Sequence, residues 1–120
     1  MIQGRFGDNG EIYFDIELIT GDGLSLTVEA MLDTGFTELC VMNDQDIRDL
    51  GWRFLNQDKL ITAKGEALFD IYLGKVAIDR QEYEIPVFAG DEIQEILLGS
   101  RWLKQFVLFA DYLREEVTLS

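Results

Sequence analysis

The chain has 120 residues, 48% of them hydrophobic, and a formal net charge of −13. That length and apolar content suit one domain over residues 1–120 with a real core, and they exclude a disordered chain. The charge excludes a nucleic-acid binder, which needs a basic face. Histidine is absent, so Ser-His-Asp and Cys-His catalysis and histidine-based zinc sites are excluded.

Early in the chain, Asp8-Asn9-Gly10 reads as a tight turn, because Asn-Gly accepts positive φ. Ile12, Phe14, Ile16 and Leu18 then alternate with Tyr13, Asp15 and Glu17, the period of a half-buried strand. Gly21-Asp22-Gly23 is a second turn, and Leu24, Leu26 and Val28 alternate with polar residues beyond it. This strand runs through Ala30, Met31 and Leu32 into Asp33-Thr34-Gly35, a tripeptide that occurs once. A carboxylate ending a buried strand is costly unless it is hydrogen-bonded, paired or used.

A short strand is expected over Glu38 to Met42, with Cys40, the single cysteine, as a buried and inert thiol. Asn43 is placed to cap a short helix carrying Asp44 and Asp46 at its positive end, Ile47 and Leu50 inward, and Gly51 as its stop. Residues 59–73 read as a hairpin centred on Lys64-Gly65, with Phe69, Ile71 and Leu73 alternating on the return arm. Val76 to Ile78 and Glu84 to Phe88 read as further strands, Pro86 favouring an edge or strand end. Ile96-Leu97-Leu98-Gly99 is an apolar run ending in glycine. Ser100 to Phe106 is expected as one short helix with Trp102, Leu103 and Phe106 inward. Val107 to Tyr112 and Glu116 to Leu119 form a last hairpin. Many short strands with one or two short helices indicate an all-β barrel-like domain.

The motifs also have plain structural readings. Asp33-Thr34-Gly35 alone fits an Asx turn, and Leu97-Leu98-Gly99 a buried strand. Asp8, Glu11 and Asp22 lack calcium-loop spacing and read as turn residues. Ser100 and Lys104 share a helix face, but a solvated lysine is no base. Asp91, Glu92 and Glu95 read as a solvated loop, and Trp52 and Trp102 as core or cleft wall. The single cysteine forms no intrachain disulfide, which fits a reducing cytoplasm. A signal peptide is not expected, since the N-terminus has no basic segment followed by an apolar one, and a membrane span is not expected, since no apolar run approaches ~18 residues.

Taken together, Met31-Leu32-Asp33-Thr34-Gly35-Phe36-Thr37, the hairpin around Ala63-Lys64-Gly65-Glu66, and Ile96-Leu97-Leu98-Gly99 with the helix after it resemble the retropepsin-like (clan AA) aspartic proteases. The microbial single-lobe members with phenylalanine after Asp-Thr-Gly are the most similar. The resemblance implies an all-β closed barrel with one or two short helices. It implies an aspartic endopeptidase that works as a homodimer, with Asp33 of each copy forming a dyad that activates water, and with no metal or cofactor. Thr34 and Gly35 would support Asp33. Peptide or protein substrate would lie against Phe36, Thr37, the flap residues Ala63, Lys64, Gly65 and Glu66, and Leu98 and Gly99. Phe36 departs from the small residue of many relatives and offers the carboxyl no side-chain hydrogen bond. The single glycine of the hairpin, Gly65, departs from glycine-rich viral flaps. The alternative is a non-catalytic module of the same fold that binds peptides or assembles. Like charges of −13 per chain oppose association, so dimerisation is expected to strengthen with salt or mild acid.

Overall fold

The computed structural model describes residues 1–62 and 65–120. In chain order the elements are β1 (Ile2–Gln3), β2 (Arg5–Phe6), β3 (Ile12–Ile19), β4 (Ser25–Asp33), β5 (Cys40–Asn43) and α1 (Asp44–Arg48). They continue with β6 (Arg53–Thr62), β7 (Gly65–Ile78), β8 (Gln81–Gly90), β9 (Ile96–Gly99), a 3₁₀ helix (Ser100–Lys104), β10 (Leu108–Asp111) and β11 (Glu116–Leu119).

The larger sheet runs β2-β3-β4-β9-β5-β8-β7-β6, and a second pairing of β3 with β7 closes it. Strands β3, β4, β9, β5, β8 and β7 thus form a closed barrel, as the sequence pattern led us to expect. Closure removes the edges of these six strands, leaving β2 and β6 outside the ring as edges, and the alternating side chains of β3 supply the barrel interior. Phe14, Ile16 and Leu18 are buried while Asp15 and Glu17 are exposed. Ala30, Leu32, Val76, Ile78, Ile85, Val87, Leu98 and Trp102 complete the main core. Each large apolar side chain taken fully out of water contributes about 1.5–3 kcal/mol. A separate three-stranded sheet, β1-β11-β10, ties the two ends of the chain together. Its inner residues Ile2, Leu108, Val117 and Leu119 pack on the same core.

Asn43 caps α1, its side chain accepting from the Gln45 amide at 2.9 Å, and Ile47 and Leu50 are buried. The other differences from the sequence reading are local. The hairpin expected over 59–73 is longer, because β6 begins at Arg53. Its first residues are exposed and polar-rich on a sheet edge, so they lack the alternation of a half-buried strand. The return arm does not stop at Leu73: β7 is continuous through Val76 to Ile78. Asp79 and Arg80 then turn the chain at φ 52° and 67° between the paired Ile78 and Gln81, a tight hairpin without the glycine or asparagine that would announce it. Pro86 lies inside β8, not at its end, opposite Leu73. Strand β5 pairs with β8 only from Val87 onward, which leaves one side of β8 open at the proline. No helix of the described residues is long and apolar enough to cross a membrane.

Candidate active site

Strand β4 pairs in parallel with β9, which sets Leu32 beside Leu98 and Asp33 beside Gly99. The two apolar-to-turn motifs therefore lie next to each other, although more than sixty positions separate them in the chain. Asp33 ends β4 and is half-buried. Its Oδ1 accepts the Gly35 amide at 2.9 Å, and its carbonyl accepts the Phe36 amide at 3.1 Å. Gly35 therefore brings an N–H up to the carboxylate, the arrangement of an Asx turn.

The loop beyond Asp33 folds back over the end of β9. Ser100 donates its amide to the Phe36 carbonyl at 2.8 Å, and Gly99 donates to the Leu39 carbonyl at 3.0 Å. The Trp102 indole N–H reaches the same Leu39 oxygen at 2.8 Å, and Arg101 pairs with Glu38 at 3.3 Å. Trp102 is buried against Tyr83 and Phe106, so its indole is a fixed donor. The loop that follows the carboxylate is thus held by backbone, indole and ion-pair contacts from residues 99–102.

Asp33 opens into a cleft of about 700 Å³. Gly35, Phe36, Thr37, Val41, Lys59, Leu60, Ile61, Phe69, Ile93 and Leu97 line the rest of it. Phe36 and Phe69 each meet the edge or face of Phe88, at 6.3 Å and 6.2 Å between centroids. Together with Val41, Ile71, Leu60, Ile93 and Leu97 they form a second apolar cluster apart from the barrel core. One wall comes from the β6–β7 hairpin, whose Leu60 and Phe69 are half-buried on the inner face. Another comes from residue Ile93, whose carbonyl is held by the Asn43 side-chain amide at 3.0 Å. Asp33 is the one carboxylate among the described lining residues, and Lys59 the one cation.

Four of the sequence-named residues meet at this cleft: Asp33, Gly35, Phe36 and Thr37. Thr34 is exposed and does not line it. Leu98 is buried in the core, and Gly99 is buried under the loop. Gly65 and Glu66 lie on the hairpin beyond the lining, with Glu66 3.5 Å from Lys59. Ala63 and Lys64, named as flap residues, lie outside the described residues. The sequence reading did not select Val41, Leu60, Phe69, Ile93 or Leu97 as site residues. Ile93 carried a usable signal, being an apolar side chain inside the acidic run Asp91 to Glu95. Cys40, beside Val41, is fully buried, and burial pushes its thiol up to about 12, so it offers no nucleophile to the site.

No family model matches the sequence, and no curated protein does. Solved structures do match its fold. A retropepsin-like aspartic protease from Rickettsia conorii superposes with a TM-score of 0.65 at 18% identity, covering 98% of this chain and 88% of that one. The EIAV protease, solved with the inhibitor HBY-793, gives 0.64 at 14% identity over 83% of this chain and 91% of its own. The simian foamy virus protease gives 0.53 at 23% identity over 78% and 96%. These likenesses establish the fold of this chain as that of the retropepsin-like aspartic proteases.

Proposed function

We propose that this protein is an aspartic endopeptidase that acts as a homodimer. The observation that carries the reading is a half-buried carboxylate, Asp33, opening into an apolar cleft on a loop fixed from residues 99–102. One carboxylate is half of what this chemistry needs, and a twofold axis supplies the other half from the same position of a second copy. Two carboxyl groups at close range do not both ionise readily, so the pair holds one proton. The ionised member takes a proton from a bound water as it attacks the peptide carbonyl. The protonated member donates to the carbonyl oxygen, and the tetrahedral diol collapses with cleavage of the C–N bond. The two apparent pKa values belong to the pair.

The remaining residues take positioning roles in this reading. Gly35 holds an amide against the carboxylate, and Gly99 lets the loop lie directly on β9. Thr34, exposed in the single chain, would hydrogen-bond across the axis. Phe36, Thr37, Leu60 and Phe69 would contact an extended peptide, and the β6–β7 hairpin would close over it. Large apolar side chains next to the scissile bond suit the lining.

The test is incubation of the dimer with a denatured protein mixture from acidic to neutral pH, using wild type and Asp33→Asn. The reading expects fragments from wild type and none from the variant. Equal fragmentation by both, or none by a dimer verified by sedimentation, would favour a non-catalytic binding or assembly module.

A further inference from the structure

One wall of the cleft comes from the loop of residues 91–95, between β8 and β9. Asp91, Glu92, Gln94 and Glu95 are exposed, and Ile93 alone in this loop turns inward, half-buried. Ile93 packs with Phe36, Leu60, Phe69 and Leu97 in the apolar cluster that lines the cleft. A loop with four side chains in water and one in a cleft gains little from its own packing. Its position depends on what holds its backbone.

Asn43 provides that hold. It ends β5, where the parallel register sets it beside Gly90, the last residue of β8. Gly90 is also the seat of Ile93: a Cβ built there would stand 2.7 Å from Ile93 Cγ1 and 3.0 Å from Phe69 Cε2. The Asn43 Nδ2 donates to the Ile93 carbonyl at 3.0 Å in a partly buried setting, and its Oδ1 accepts the Gln45 amide at 2.9 Å. Both partners are backbone groups of fixed polarity, so the side-chain amide fits only one way round. Val41, on the same strand, lines the cleft as well. One side chain therefore caps α1 and ties two walls of the cleft together.

Resting on the protease reading above, we propose that Asn43 is a positioning residue for substrate selection: it holds Ile93 where the cleft closes around a large apolar side chain of the peptide. Asn43 does not itself line the cleft, so it acts through Ile93. A pocket discriminates by the apolar surface it covers, and a wall that moves outward loses preference for a large side chain over a small one. The loop that follows Asp33 is held separately, from residues 99–102, so the loss falls on binding and not on the chemical step.

Asn43→Asp at neutral pH separates the two duties. Aspartate caps a helix as well as asparagine does. It offers only acceptor oxygens to the Ile93 carbonyl, so the tie becomes a repulsion. Should this variant unfold, Asn43→Ser replaces it, keeping a capping oxygen on a side chain too short for Ile93. Hydrogen exchange read by mass spectrometry is expected to quicken over residues 91–95 and to match wild type over α1. Kinetics use a peptide series with Phe, Leu or Ala in turn on either side of the scissile bond. The preference for Phe or Leu over Ala is expected to fall about tenfold, in KM and not in kcat. Unchanged exchange in the loop overturns the proposal, and so does faster exchange with the preference intact. A wild type that cleaves no peptide, although the loop responds in exchange, overturns the protease reading and selection with it, and leaves the hold on Ile93 standing.

Discussion

Gly99 lies so close beneath Glu38 that a Cβ at this position would overlap the Glu38 carbonyl oxygen and stand 2.7 Å from that of Phe36. Both oxygens are backbone, on the loop that follows Asp33, so no side-chain rotation relieves the overlap. The absence of a side chain at Gly99 is what allows the loop to lie on β9 and accept its hydrogen bonds.

Gly99→Ala should therefore displace the loop. Overpacking against backbone costs about 1–3 kcal/mol and occasionally more, and peptide hydrolysis should fall with the misplaced carboxylate. Chemical denaturation measures the first effect and a peptide assay the second. A variant of wild-type stability would show that the loop can lift without cost.

Trp102→Phe probes the same loop more gently. The indole N–H is lost, but the Leu39 carbonyl keeps the Gly99 amide. The expected cost is about 1–2 kcal/mol, with activity retained within several-fold. Urea unfolding read by circular dichroism checks the stability. A loss as severe as that of Gly99→Ala would mean that the indole, not the backbone, positions the loop.

Cys40 gives a prediction in pH. Its thiol is pushed from 9.0 up to about 12 by burial. The folded chain therefore holds this proton more tightly than the unfolded one. The contribution to stability is complete below pH 9 and is lost as pH rises towards about 12. Native protein should resist alkylation at pH 8 and react on unfolding. Between pH 9 and 12, the stability of wild type should fall more steeply than that of Cys40→Ala. Rapid alkylation of the folded protein would show that the thiol is reached from solvent.

The strands were legible wherever one face is buried and the other wet. The alternation of Ile12 to Leu18, the Asn43 cap and the two motifs around Asp33 and Gly99 follow from local chemistry and recur in the structure. The parallel pairing that sets Asp33 beside Gly99 depends on long-range register, which periodicity alone does not encode. The cleft walls were hidden for a different reason. Leu60, Phe69 and Ile93 are half-buried against one another across distant segments, and each taken singly reads as an ordinary apolar residue. The turn at Asp79 and Arg80 is not announced by sequence because Asp79 signals positive φ only weakly without a following glycine, and Arg80 not at all.

Charge sets the salt dependence of association. Each copy carries −13, and salt shortens the reach of that repulsion from over 10 Å at low ionic strength to a few ångströms near 1 M. Raising salt from about 0.05 M to about 0.5 M should tighten the dimer. Sedimentation equilibrium measures it. A dissociation constant insensitive to salt would mean that the contact lies beyond the reach of the net charge.

The claim that two chains build one site is tested most directly by mixing. Wild type and Asp33→Asn, equilibrated together in varying proportion at fixed total dimer, form homodimers and heterodimers at random. If each site needs Asp33 from both chains, hydrolysis falls as the square of the wild-type fraction. A decline in simple proportion to wild-type chains would show that each chain acts on its own and would contradict the shared dyad.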